Sequence, residues 1–149
     1  MGINNFTYSK SELALTEQFE GCRLTAYQDQ AGVWTIGYGH TGIGVKAGLT
    51  ITQRQAEALL TSDVASSAAY VNSAVVAKLN QDEFDALVDF VFNIGSGAFA
   101  GSTLLKDLNA NDFASAANQF DRWDRAGGRV VAGLLRRRQT EAALFQKGR

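Results

Sequence analysis

Five glycines, at positions 32, 37, 39, 42 and 44, cut the stretch from Leu24 to Val45 into short runs of β-branched and aromatic residues, while the chain on either side keeps a helical spacing. Glycine costs about 1 kcal/mol in a helix interior, yet it is the residue that turns with positive φ require. The stretch therefore predicts a small, tightly turned antiparallel β-sheet in an otherwise helical chain, an α+β protein. With 149 residues, 46% of them apolar, and no proline-rich or repetitive segment, the whole chain is expected to fold as one domain, 1–149. A small lobe over roughly 10–60 and a larger helical one over roughly 61–149 would share a long helix.

The helical segments carry their own start and stop signals. Ser9-Lys10-Ser11-Glu12 has the Ser-x-x-Glu form of a capping box; Leu13, Leu15, Thr16 and Phe19 follow, and Gly21 offers a stop, predicting a helix over 10–20. Thr52-x-x-Gln55 opens the next, in which Ala56, Leu59, Leu60, Val64, Ala68 and Val71 recur at spacings of three and four. A third starts after Asn80, turns Phe84, Leu87, Val88 and Val91 to the core, and stops near Gly95. Ser102 caps a short helix through Leu108, and Asp112 caps one whose Phe113, Ala116, Ala117 and Phe120 face inward. Gly127, Gly128 and Gly133 interrupt before a last helix from about Leu134 to Gln146.

Cys22 has no partner for an intrachain disulfide, and with His40 as the one histidine no Cys/His zinc site can be assembled. No metal and no cofactor is expected. Residues 1–16 lack the basic start and apolar run of a signal peptide, and no window approaches the roughly 18 apolar residues of a membrane span, so no membrane insertion is expected. The net charge of −1 conceals an asymmetry: residues 1–121 hold six Lys/Arg against thirteen Asp/Glu, and 122–149 hold eight against two. Such a basic segment either pairs with the acidic remainder of the fold or meets an anionic polymer. It lacks a nucleic-acid motif and an aromatic stacking platform, so no nucleic-acid partner is expected.

Glu20 is placed against a local rule. It ends a predicted helix immediately before Gly21, where the macrodipole is negative and a cation belongs. That field disfavours the ionised carboxylate and suits a group that must hold a proton and donate it; the plain alternative is a solvated surface glutamate. Eight residues on, Asp29 lies at the hairpin turn Gln28-Asp29-Gln30-Ala31-Gly32, where turn chemistry alone would explain it. Across a cleft the two would form the carboxyl pair that glycoside hydrolysis requires.

Glu20-Gly21-Cys22-Arg23-Leu24, Ala26-Tyr27-Gln28-Asp29 and Gly32-Val33-Trp34-Thr35-Ile36-Gly37-Tyr38-Gly39-His40-Thr41 resemble the active-site segment of phage-type lysozymes, the endolysins of tailed phages grouped as glycoside hydrolase family 24. The family pattern of Glu, eight residues, Asp, five residues and Thr is met by Glu20, Asp29 and Thr35. The likeness extends through Phe92-Asn93-Ile94-Gly95, Ser102-Thr103-Leu104-Leu105, Phe120-Asp121-Arg122-Trp123 and Gly133-Leu134-Leu135-Arg136-Arg137-Arg138, leaving out only about the first eight residues. Gln30 and Ala132 stand where relatives often carry proline, and neither position carries chemistry.

The resemblance implies a lysozyme-like fold and a muramidase that cuts the β-1,4 bond from N-acetylmuramic acid to N-acetylglucosamine in bacterial peptidoglycan. Glu20 would be the general acid, with Asp29 and Thr35 holding the water; a threonine hydroxyl can both donate and accept, though Thr35 is equally a good strand former. It also implies inversion at the anomeric carbon, for which carboxyl groups stand about 6.5–9.5 Å apart, against about 5 Å for retention. Thr41, Phe92, Asn93 and Thr103 would line the sugar site, although Phe92 could equally be core. His40 and Asp63 would form a structural pair, and Cys22 is read as a buried small hydrophobe. One of Arg136, Arg137 and Arg138 would reach the Glu20 neighbourhood, the others facing solvent or the wall.

As partners, the resemblance implies peptidoglycan and a holin, for a monomer held in the host cytoplasm until the membrane is disrupted and then acting in the periplasm and wall. A lytic transglycosylase needs the acid but not the water-holding pair, so Asp29 and Thr35 argue against it. A catalytically dead glycan-binding or phage structural module would dispense with Glu20, which is present.

Overall fold

The computed structural model describes residues 3–148. Helix α1 (Lys10–Glu20) leads into strands β1 (Arg23–Gln28) and β2 (Trp34–Gly37), and α2 (Gln53–Ala74) then runs 22 residues into a helical body. That body comprises α3 (Gln81–Ile94), α4 (Ser96–Ala100), α5 (Thr103–Asn109), α6 (Phe113–Ala117), a 3₁₀ turn (Phe120–Trp123), a hairpin of β3 (Arg125–Ala126) and β4 (Arg129–Val130), and α7 (Ala132–Lys147). The mostly helical α+β architecture follows the sequence pattern.

Among the described residues, four of the seven α-helices start on a side-chain cap. Thr52 and Asn80 each close a full capping box, with Gln55 and Glu83 respectively. Ser102 and Asp112 cap α5 and α6 through the amides of Leu105 and Ser115. The box expected at Ser9 does not form. The Glu12 and Leu13 amides go to the Ser9 carbonyl at 3.1 and 3.0 Å, and the Ser9 amide donates to Asp85 Oδ1 at 3.2 Å. A carboxylate from α3 has taken the donor that Glu12 was to accept from.

The β region is smaller than the glycine pattern suggested. Tyr27 faces Thr35 and Gln28 faces Trp34 in an antiparallel pair whose register shifts between Arg23 and Tyr27. After β2, the His40 and Ile36 amides and carbonyls exchange two 2.9 Å bonds, and residues 41–48 run as turns because Gly42 and Gly44 (φ 117° and 90°) lie where strands cannot go. The outer edge of β1 is instead covered from beyond the expected boundary: Ala26 N–H bonds Leu49 O and Ile51 N–H bonds Leu24 O, both at 2.9 Å.

The single sheet expected is joined by a second hairpin. Gly127 and Gly128 (φ 59° and 79°) form its two-residue loop, with positive φ at both central positions. Its two-residue strands are too short to show alternation in the sequence. The turn of α4 was likewise unforeseen, and the 3₁₀ turn, not α6, carries Phe120.

One core runs from Tyr38 to Phe145. Its axis is α3, in which nine consecutive residues, Glu83 to Val91, are buried against α2, α7 and neighbours. Phe90 sits amid Phe99, Phe120 and Trp123, with ring centroids 6.2, 5.1 and 5.8 Å away; truncating such a residue costs about 3–5 kcal/mol. A helix buried all round also buries Glu83, Asp85 and Asp89, and buried carboxylates require partners. Those of Asp89 lead to the site.

Candidate active site

Glu20 is the last residue of α1, and Gly21 (φ 68°) turns the chain away by closing on the Glu17 carbonyl at 3.0 Å. The Glu20 side chain is 18% exposed and opens on a cavity of about 450 Å³. Gly39 and Thr41 of the turn region form one wall; Asp63, Ser66, Ser67 and Tyr70 of α2 and Phe92 and Asn93 of α3 form others.

Arg137 anchors Glu20 from behind. Its Nη1 donates to Glu20 Oε2 at 2.7 Å, while Nε and Nη2 grip both oxygens of Asp89 at 2.9 Å each. Burial works to raise the Asp89 carboxyl, but hydrogen bonds from Glu141 and Arg137, the Arg137 charge and the Thr16 hydroxyl outweigh it and bring it down to about 2. Asp89 is thus a fixed anion. With Oε2 engaged, the Glu20 oxygen left for chemistry is Oε1, beside Gly39.

Arg137 is therefore the member of the arginine run that reaches Glu20. Arg138 corrects the expectation of a solvent-facing neighbour. It is wholly buried, donates from Nη2 to Glu141 Oε2 at 2.9 Å, and lies with its guanidinium 5.0 Å from the Phe90 ring centre. One residue along α7 rotates a side chain about 100°, from Asp89 to the aromatic core. Arg136 alone of the three is exposed.

Asp29 and Thr35 meet through one peptide. Asp29 Oδ1 accepts the amides of Ala31 and Val33 at 2.8 and 2.9 Å, and the Val33 carbonyl accepts both the Asp29 amide and the Thr35 hydroxyl at 2.9 Å. The turn chemistry expected of Asp29 is thus present, and it occupies only Oδ1. Thr35 is buried, and its hydroxyl proton is committed to Val33, which leaves the oxygen as an acceptor. These two residues do not line the Glu20 cavity, whereas Thr41, Phe92 and Asn93 do. Thr103, exposed at the start of α5, is also not among the cavity residues.

His40 Nδ1 and Asp63 Oδ2 stand 2.7 Å apart. Phe92, half-buried, packs on the core as well as facing the cavity. Cys22 is half-buried and not sealed in as expected, because its neighbours on the chain are the end of α1 and the start of β1; its Sγ lies 3.7 Å from Gln53 Oε1 and no base touches it.

A family model described as phage lysozyme matches residues 17–141. The chain belongs to the phage lysozyme family. As a member it is a glycoside hydrolase of the muramidase class. This lysozyme is 46% identical to the endolysin of Acyrthosiphon pisum secondary endosymbiont phage 1 over 93% of its own chain and 97% of that one. It is 44% identical to the endolysin of Bacillus phage PZA over 94% of its chain, spanning 55% of that longer protein. Among solved structures, the muramidase domain of SpmX from Asticaccaulis excentricus superposes with a TM-score of 0.87 at 39% identity, covering 95% of this chain and 99% of that one.

Several residues around the cavity escaped the sequence reading: Gly39 against Glu20, Asp89 behind Arg137, and Ser66, Ser67 and Tyr70 on α2. Asp89 did leave a signal. An acid inside the apolar run Phe84 to Phe92 demands buried partners, amides for Asp85 and a cation for Asp89.

Proposed function

We propose that this lysozyme hydrolyses the β-1,4 bond between N-acetylmuramic acid and N-acetylglucosamine in bacterial peptidoglycan and so lyses its host. The observation that carries the reading is the division of labour within the two carboxyl groups: Glu20 lines the cavity with Oε2 held by Arg137 and Oε1 beside Gly39, and Asp29 has Oδ1 held by backbone amides, so one oxygen of each is left for chemistry. Glu20 protonates the leaving glycosidic oxygen from Oε1, and the Arg137 cation stabilises the carboxylate left behind. A water donates one hydrogen bond to Asp29 Oδ2 and one to the Thr35 oxygen, which has only lone pairs to offer, and attacks the anomeric carbon as Asp29 takes its proton. Thr41, Phe92 and Asn93 contact the sugar, with Thr103 further along the glycan.

Among the described residues no helix is long and apolar enough to cross a membrane. In the proposed sequence of events the enzyme waits in the host cytoplasm as a monomer, and a holin admits it to the periplasm and wall. Mass spectrometry of muropeptides released from purified sacculi tests the chemistry: reducing-end muramic acid is expected, and anhydromuramic ends would replace hydrolysis with transglycosylation.

A further inference from the structure

Thr16 is the buried residue of α1, although the helix also offers Leu13, Leu15 and Phe19, which stay half-exposed. Its hydroxyl lies 2.7 Å from Asp89 Oδ1, 3.2 Å from the Glu12 carbonyl and 2.7 Å from the Tyr8 hydroxyl. One hydroxyl has one proton, and a short bond to an ionised carboxylate outcompetes a longer one to a carbonyl. Thr16 therefore donates to Asp89; the Tyr8 hydroxyl also lies 3.1 Å from the Glu12 carbonyl, but with the Thr16 proton committed its 2.7 Å contact to Thr16 requires Tyr8 to be the donor there. Burial, and next the charge on Asp89, raise the Tyr8 phenol well above its ordinary range, so that proton stays in place.

We propose that Tyr8 and Thr16 are positioning residues for Glu20, acting through Asp89 and Arg137. The inference rests on the reading of Glu20 as the acid. Arg137 grips Asp89 with two parallel bonds, so the plane of the guanidinium follows the plane of the Asp89 carboxylate. Arg137 and Glu141 both approach Asp89 from α7, so their bonds leave carboxylate and guanidinium free to shift together with that helix. The donor from outside α7 is Thr16, which ties the Asp89 carboxylate to α1, the helix that carries Glu20, and with it the direction of Nη1 toward Glu20. Reacting groups need placement within about 0.5 Å and 10–20°.

Tyr8 and Thr16 both precede the residues 17–141 that match the family model. The segment carrying Tyr8 is itself fastened to the core. Asn4 Nδ2 donates to the carbonyls of Val75 and Ala77 at 2.9 Å, its Oδ1 accepts the Leu79 amide at 3.0 Å, and the Phe6 amide donates to the Asn72 side-chain Oδ1 at 3.0 Å while the Phe6 carbonyl accepts from Asn72 Nδ2 at 2.9 Å. A fastened strap gives Tyr8 a fixed place from which to orient Thr16.

The test is steady-state hydrolysis of soluble peptidoglycan oligosaccharides by Thr16→Val, Thr16→Ser and Tyr8→Phe, with the Arg137 Nε–H resonance followed by NMR. Thr16→Val is expected to lose about 3- to 30-fold in kcat, the range for coupling through a packed network. KM should stay unchanged and the Arg137 resonance should move. Thr16→Ser should restore both, and Tyr8→Phe should show the same pattern at smaller amplitude. Wild-type kcat with an unmoved resonance in folded Thr16→Val overturns the proposal, as does an equal loss in Thr16→Ser. Should Thr16→Val not fold, Tyr8→Phe decides on the same two readouts. The resonance needs no substrate, so a wild type that hydrolyses nothing refutes the functional reading while the positioning chain is still judged.

Discussion

A β-carbon on Gly39 would stand 3.1 Å from Glu20 Oε1. The backbone there also has φ 88°, a region that L side chains rarely adopt. Gly39→Ala therefore meets two penalties, about 1–2 kcal/mol for the backbone and displacement of the carboxyl oxygen left for chemistry. A folded variant with muropeptide release reduced at least about tenfold is expected. Thermal melting and release assays on one preparation check it, and wild-type release would mean that Oε1 is not the working oxygen.

Glu20→Gln should lower turnover by roughly two to four orders of magnitude, the contribution of a positioned general acid. Its effect on stability should stay within about 1 kcal/mol either way. The amide oxygen can still accept from Arg137, Asp89 still neutralises that arginine, and the unfavourable charge at the end of α1 is gone. Urea unfolding measures this; a deficit of several kcal/mol would make Glu20 a structural residue.

Asp89 sets an acid limit on stability. Its folded value of about 2 lies below its unfolded value near 4, so the folded form binds fewer protons between them. The contribution is present above pH 4 and is lost as pH falls through 2, an amount of about 2 kcal/mol. Asp89→Asn should lack this component and be less stable by about 3–5 kcal/mol at neutral pH, because buried Arg137 loses its main counter-charge. Subtracting variant from wild type in urea titrations from pH 2 to 7 isolates the effect, and parallel curves would contradict it.

The capping boxes of α2 and α3 supply a prediction remote from the site. Thr52→Ala and Asn80→Ala should each cost about 1 kcal/mol by leaving the amides of Gln55 and Glu83 without acceptors. Asn80→Gly should cost only a few tenths. Chemical denaturation resolves the difference, and equal losses for Ala and Gly at position 80 would remove the cap from the account.

The sequence by itself determined what depends on neighbours a few residues away. The starts of α2, α3, α5 and α6 lie within reach of their own capping side chains, and the turns after β2 follow from glycine; Glu20, Asp29 and Thr35 stand out by resemblance to a family pattern that fits within one short stretch. Where local chemistry met a distant competitor, it lost: Asp85 drew off the Ser9 amide and undid an expected capping box. Only the tertiary structure chose Arg137 over Arg136 and Arg138, because a helix presents each of three consecutive arginines to a different neighbour. The neighbours, Glu20 and Asp89, lie 117 and 48 residues away. The burial of Thr16 has the same origin. A threonine on an amphipathic helix carries no mark of what will face it, and its partner became visible only when α1 was laid across α3, placing a hydroxyl against a carboxylate that the core had already cut off from water.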